Sequence, residues 1–189
     1  MPDLFKGQHL VVLDTETTGF PAQRWARVIE VGAVLLAPDG AEVDTFEALV
    51  LPDILDERAH AAAGIHGITN ETLRAEGVPQ DEVCAALRET LAAWGDPYLT
   101  AFNVGFDRPM LLRMGIGRRR WARCIMQRAS AVMGKAGALK PRSQGGWRWP
   151  SLARAVDFFG VEVDGPAHRA LTDARMAAGV ARAIREREV

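Results

Sequence analysis

Cysteine is scarce in this chain: its 189 residues include only Cys84 and Cys124. The two lie far apart and outside any metal-ligand spacing. Cys84 falls in a helical pattern and Cys124 in a strand-like one, so they read as buried thiols rather than a disulfide. A reducing, cytoplasmic setting is expected. Long apolar runs are also missing, and none approaches the roughly 18 residues of a membrane span. The opening "MPDLFKGQ" lacks a basic start followed by an apolar core, so no secretory leader is expected there. Net charge is nearly absent too, at −1, and by itself selects no partner.

The most informative absence is local. From Arg108 to Val156 there is no Asp or Glu, although 12 of the chain's 23 basic residues fall in this stretch. A run this one-sided can create a positive face on a neutral protein. Trp121, Trp147 and Trp149 are interleaved with it. The stretch is either a solvated surface or a track for a phosphate backbone with stacking platforms. Arg118, Arg119 and Arg120 are its densest part and the candidate backbone contacts.

What remains has the balance of an ordinary globular protein, 48% hydrophobic and 25% charged. Its length suits one domain with a substantial core. "HLVVLD" reads as a buried strand, and "EVGAVLLAPDGAEVDTFEALV" as two strands joined by a turn. Residues 79–95 read as a helix with Val83, Leu87, Leu91 and Trp94 on one face and Gly95 as its stop. "YLTAF" is a fourth short strand, followed by a helix from Asp107 to Met114. "ARCIM" is expected to be a fifth strand and "QRASAVMGK" a helix. Residues 135–150 are expected to form a long, mobile loop. "PSLARAVDFFG" and the Ala-rich closing segment from residue 167 are helices. Three strands followed by strand–helix alternation predict an α/β fold with a mixed central sheet flanked by helices.

Near the N-terminus, "VVLDTETTGF" ends a strand on Asp14 and Glu16. Residues two apart in a strand share a face, so both carboxylates point to one place. Paired carboxylates resist ionisation unless a cation lies between them, and Mg²⁺ or Mn²⁺ prefers such oxygen ligands. A lone Asp-x-Glu is just as readily a polar turn after an edge strand, so the pair needs company. "FNVGFD" supplies Asp107 near the start of a helix, where an Asp can equally be a cap. "HRALTDA" supplies His168 and Asp173. Five residues on one helix turn through about 500°, so the two side chains would diverge by ~140°. His168 is therefore expected on the loop or first turn, with Asp173 inside the helix. A lone His is commonly a surface or capping residue, but an unpaired carboxylate on a packed Ala- and Met-rich helix is costly.

Taken together, Asp14 and Glu16 in "DTETTG", Asp107 in "FNVGFD", and His168 with Asp173 in "HRALTDA" resemble the motifs of the DEDDh 3′–5′ exonucleases. That superfamily includes the proofreading subunit of bacterial DNA polymerase III, RNase T and oligoribonuclease. The resemblance runs from residue 8 to about 184, and "GIHGIT" at 64–69 adds to it. Phe102 stands where many relatives carry His, and Met126 near where many carry Asp-Thr. The resemblance implies a ribonuclease-H-like fold and a single exonuclease domain over 1–189. It also implies two Mg²⁺ or Mn²⁺ ions per site, one activating the attacking water and the other neutralising the leaving 3′-oxygen. By the family pattern Asp14 bridges the ions, Glu16 and Asp173 complete one, and Asp107 supports the other. His168 is then the general base, since imidazole exchanges protons near neutral pH.

Backbone amides of Thr15, Glu16 and Thr17 become candidates to hold the 3′ end, with Phe20 or His66 against the last base, and Thr18, Phe102 and Asn103 are further candidate substrate contacts. The implied substrate is the 3′ end of single-stranded DNA or RNA, DNA favoured, released as nucleoside 5′-monophosphates. RNA 3′-end trimming or oligoribonuclease activity uses the same chemistry and stays open, because sugar identity is read at the 2′-hydroxyl. A non-catalytic binding module would be expected to have lost a ligand, and none is missing. A polymerase partner or a homodimer is not readable from the residues, and no membrane association is expected.

Overall fold

The computed structural model describes residues 7–55, 60–162 and 164–188. Most of the N-terminal segment read above for a leader lies outside them. In chain order the elements are β1 (Leu10–Thr17), β2 (Val28–Leu36), β3 (Glu42–Leu51), α1 (His60–His66), α2 (Asn70–Glu76), β4 (Val78–Pro79), α3 (Gln80–Ala93), β5 (Tyr98–Ala101), α4 (Val104–Met114), α5 (Ile125–Lys135), α6 (Leu152–Phe159) and α7 (Ala170–Glu188). The strands form one mixed sheet in the order β4-β3-β2-β1-β5. β1, β2 and β3 pair antiparallel, whereas β5 runs parallel to β1. The expected α/β architecture is what is found.

Both faces of the sheet are covered, which is why every residue of β2 is buried. α7 lies on the face that carries Gly32. A Cβ built there would come within 2.2 Å of the Leu171 amide nitrogen, so only glycine lets the first turn of α7 rest on the strand. α4 covers the opposite face, where its Asp107 meets Thr15. α6 is capped at both ends: Ser151 accepts from the Arg154 amide and Gly160 ends the helix at φ 66°.

Three expectations change. "ARCIM" is not a strand. Trp121 makes one isolated bridge to Leu99, and α5 already begins at Ile125. The apolar residues there follow a helical stripe, with Ile125, Met126, Ala129 and Met133 all buried. α4 starts at Val104, three residues earlier than read, so Asp107 sits inside its first turn and not at its cap. The segment expected as a long, mobile loop is a hydrogen-bonded hairpin. Pro141 bridges Trp147, Arg148 N–H donates to the Lys140 carbonyl at 3.0 Å, and Arg142 N–H to the Gly146 carbonyl at 3.0 Å. Residues 60–78, in which no element was read, form α1, α2 and the start of the two-residue β4, which ends on Pro79, read above as helical, and pairs with the end of β3. No helix among the described residues is long and apolar enough to cross a membrane.

Candidate active site

The site is assembled at the carboxyl ends of β1 and β5, where ligands of α/β sheets characteristically bind. In the β1–β2 register, Asp14 lies opposite Gly32 and Glu16 opposite Glu30. Directly opposed residues share a face, so Asp14, Glu16 and Glu30 all project toward α7. Glu30 is fully buried and holds that helix in place. It accepts from the Ala170 amide at 2.8 Å and from the Arg169 guanidinium at 2.9 and 2.5 Å. One carboxylate thus caps the N-terminus of α7 and pairs with the adjoining cation.

This anchorage sets the next two groups. Asp173 lies in the first turn of α7, and its Oδ1 accepts from the His168 amide at 3.2 Å. His168 is exposed, outside the helix as expected, with φ 61° in the left-handed region. A non-glycine residue is strained there and needs its surroundings to hold it. Arg169 bound to Glu30 on one side and Asp173 on the other provide that hold. Glu16, His168 and Asp173 each offer a ligand atom, all within 4.8 Å of one another, and can hold a metal ion. Asp107 approaches from α4, where its Oδ1 accepts from the Thr15 amide at 3.1 Å and the Thr15 hydroxyl at 2.9 Å.

Crowding and burial show in the proton affinities. Burial, then the neighbouring Asp107, Asp173, Glu16 and Glu30 charges, hold Asp14 well above the usual carboxylate range. Burial and then Asp173 push Glu16 up to about 7, against the opposing pull of Arg169. Burial raises Asp107 to about 7 despite its Thr15 hydrogen bonds, and burial raises Asp173 as well. Arg169, the nearest fixed cation, is engaged by Glu30. A set of hard oxygen donors short of positive charge fits a divalent cation such as Mg²⁺ or Mn²⁺.

The acids line a cleft of about 460 Å³ with an apolar rim. Phe20 is 68% exposed there and meets Phe106 edge-on, with ring centroids 6.4 Å apart. Arg113 holds the turn that carries Phe20, donating to the Pro21, Gln23 and Ala26 carbonyls. Phe102, Asn103 and His66 also line the cleft. His66 Nδ1 accepts from the Ile68 amide at 3.1 Å, leaving a buried Nε2 without a hydrogen-bond partner. Burial lowers this imidazole, against the pull of Glu30 and of the Thr17 backbone, which lies near but outside hydrogen-bond geometry.

The threonines are partly committed. The Thr15 amide is held by Asp107, the Thr17 hydroxyl donates to the Gly19 carbonyl, and the Thr18 hydroxyl accepts from the Arg27 amide. Arg118, Arg119 and Arg120 are not brought to the cleft. They follow α4 and lead into the Tyr98 end of β5, whereas the acids lie at its Ala101 end. Arg119 pairs with Asp96 at 2.7 Å, and Arg120 donates to the Asp96 carbonyl and covers the Tyr98 ring. Glu30 and Arg169 were missed by the sequence reading. The signal was a charge inside "VIEVGAVLL", where a fully buried strand requires it to be paired.

Comparison with known proteins gives the family and the fold. The family RNase_T, described as Exonuclease, matches residues 11–181. The chain belongs to that family and is therefore a nuclease, a hydrolase. It is 26% identical over 185 residues to the uncharacterized exonuclease CP81 of Escherichia phage 186, covering 92% of this chain and 87% of the phage protein. Among solved structures it resembles exonuclease I of Methylocaldum szegediense, with TM-score 0.72 and 22% identity over 96% of this chain and 41% of the other. It also resembles E. coli exonuclease I in complex with a dA16 oligonucleotide, with TM-score 0.71 and 20% identity over 96% and 41% of the two chains. The chain thus spans about two fifths of these exonuclease I chains, and at such identities the likeness is one of fold.

Proposed function

We propose that this chain is a divalent-metal-dependent 3′–5′ exonuclease that removes nucleoside 5′-monophosphates from single-stranded DNA. The observation that carries this is the collection of Asp14, Glu16, Asp107 and Asp173 at the floor of one open cleft, all four raised chiefly by burial and two of them, Asp14 and Glu16, next by charges from the same set. Such a cluster gains stability from cations. Asp14, Glu16 and Asp173 would hold one Mg²⁺ or Mn²⁺, with Asp14 shared and Asp107 supporting a second. Bound there, two divalent ions supply the positive charge that favours attack by water and departure of the 3′-oxygen.

The chain's own residues do the rest. His168, exposed at the cleft mouth beside Glu16 and Asp173, takes the proton from the attacking water. Phe20, Phe106 and the unpartnered His66 Nε2 hold the terminal nucleotide, the rings by contact with the base and the imidazole by donating a hydrogen bond. DNA is favoured because fold relatives are described with dA16 and dT13 oligonucleotides. The test uses DNA and RNA single strands labelled at either end, with Mg²⁺, with Mn²⁺ and with chelator. A 3′ label should appear at once as mononucleotide, a 5′ label should shorten stepwise, and DNA should be cut faster than RNA. Release from the 5′ end, internal cutting or full activity in chelator would overturn the reading. Faster cutting of RNA would move the substrate and keep the site.

A further inference from the structure

We propose that the hairpin between α5 and α6 forms a second subsite, a basic groove around Trp149 that takes the single strand upstream of its 3′ nucleotide. This rests on the exonuclease reading for the identity of the ligand. A cavity of about 690 Å³ lies along the hairpin, walled by Lys140, Arg148, Trp149, Ser151 and Arg154 together with small and apolar residues, and no carboxylate lines it. None of Lys140, Arg142, Arg148 and Arg154 pairs with a carboxylate among the described residues.

The two hairpin tryptophans divide the work. They lie two residues apart, yet each sees different surroundings. Trp147 is packed so tightly on α5 that a Cβ at Gly134 would lie 1.9 Å from its Cγ. The Ser130 hydroxyl, 3.3 Å from the Trp147 carbonyl and 3.1 Å from that of Arg148, fixes the backbone between them. Trp149 is 56% exposed, and the Arg142 guanidinium lies 4.8 Å from its ring centroid. The hairpin is therefore anchored through Trp147 and offers Trp149 to solvent as a rigid flat surface flanked by cations. That is the combination single-strand binders use, with rings for bases and cations for the backbone.

Its position fits the same ligand. Leu152 at the start of α6 lines the catalytic cleft, while the preceding Trp149, Pro150 and Ser151 line the groove. A strand with its 3′ nucleotide in the cleft passes directly onto Trp149. A single strand is favoured over an acidic peptide because the groove adjoins a cleft built for a phosphodiester end and because a stacking ring selects a base.

The test measures binding of a fluorescein-labelled dT16 strand to the full chain in chelator across a salt series, alongside turnover of the p-nitrophenyl ester of thymidine 5′-monophosphate with Mg²⁺. Trp149→Ala should weaken dT16 binding on the order of tenfold, and Trp149→Phe should restore most of it. Arg142→Ala with Arg148→Ala should lower the log–log salt slope by about 1.4, two phosphate contacts at about 0.7 each. Ester turnover should stay within about twofold of the unaltered chain, and circular dichroism should be unchanged. Unaltered dT16 affinity and salt slope in folded variants would overturn the groove, as would equal losses on dT16 and ester. Displacement of dT16 by polyglutamate as readily as by unlabelled dT16 would assign the groove to acidic peptides and also overturn it. If the unaltered chain fails to cleave the ester or any strand, the exonuclease reading fails, while the binding arm still decides the groove.

Discussion

The acidic cleft and the α5–α6 hairpin meet at the first residues of α6 and treat charge in opposite ways. In the cleft, carboxylates from β1, α4 and α7 are forced together and half or wholly buried, and their proton affinities rise. On the hairpin, cations are spread along an exposed turn with no carboxylate partner among the described residues. Concentrated, buried charge of one sign selects a small ion at short range. Dispersed, exposed charge of the other sign attracts a polymer and is weakened by salt. A second basic cluster, Arg119 and Arg120 at the Tyr98 end of β5, shows that positive residues in the same acid-free stretch can instead be consumed by structure.

The largest effect is expected where the cleft's charge is most concentrated. Asp14→Asn should lower turnover by at least about 10³-fold, since a lost ligand forfeits several kcal/mol of charge stabilisation. The same change should raise the melting temperature of the metal-free protein, because one member of a repelling cluster is gone. A less stable Asn variant without metal would show that the cluster is not strained. His168→Ala should lower turnover by the roughly 10²–10⁴-fold typical of a lost base. Mg²⁺ should still raise its melting temperature, which separates the base from the ligands.

Glu30→Gln probes the anchorage beneath the cleft. It removes the buried partner of Arg169 and leaves Glu47 at 3.9 Å, and with Arg169 39% exposed the loss should be about 2 kcal/mol, at the lower end for breaking a buried pair. Urea denaturation reads it, and turnover should fall as His168 and Asp173 loosen. An unchanged midpoint would show that Gly32 packing alone seats α7.

A smaller effect is expected from pH. Glu16 and Asp107 stand at about 7 in the folded chain against roughly 4 when unfolded. The folded state therefore binds protons more tightly, and this stabilisation is complete below pH ~4 and lost as pH rises through about 7. The metal-free protein should melt lower at pH 8 than at pH 5, and Mg²⁺ should close much of the gap. The smallest effect belongs to Arg119→Ala. Its partner Asp96 is 59% exposed, so the loss should stay below about 1 kcal/mol with no change in salt slope. A slope reduced as much as by the hairpin variants would put the strand on the Tyr98 side after all.

Some of this was set by local sequence. Alternation along "VVLDTET" put Asp14 and Glu16 on one face, because a strand's geometry repeats every two residues. Helical rotation placed His168 outside α7 and Asp173 within it, and the Pro and Gly that bound "PSLARAVDFFG" bracketed α6. These are short-range consequences of backbone geometry, so neighbours in the chain suffice. The tertiary structure alone decided the rest. It set Asp107 against Thr15 across 92 residues and closed Glu30 onto Arg169 across 139. It also packed Trp147 on Gly134 while leaving Trp149 outside, and tied Arg119 to Asp96 rather than to a cleft. An acid-free stretch records the sign of a charge and its amount, but the direction in which each cation points depends on which distant group packs against it.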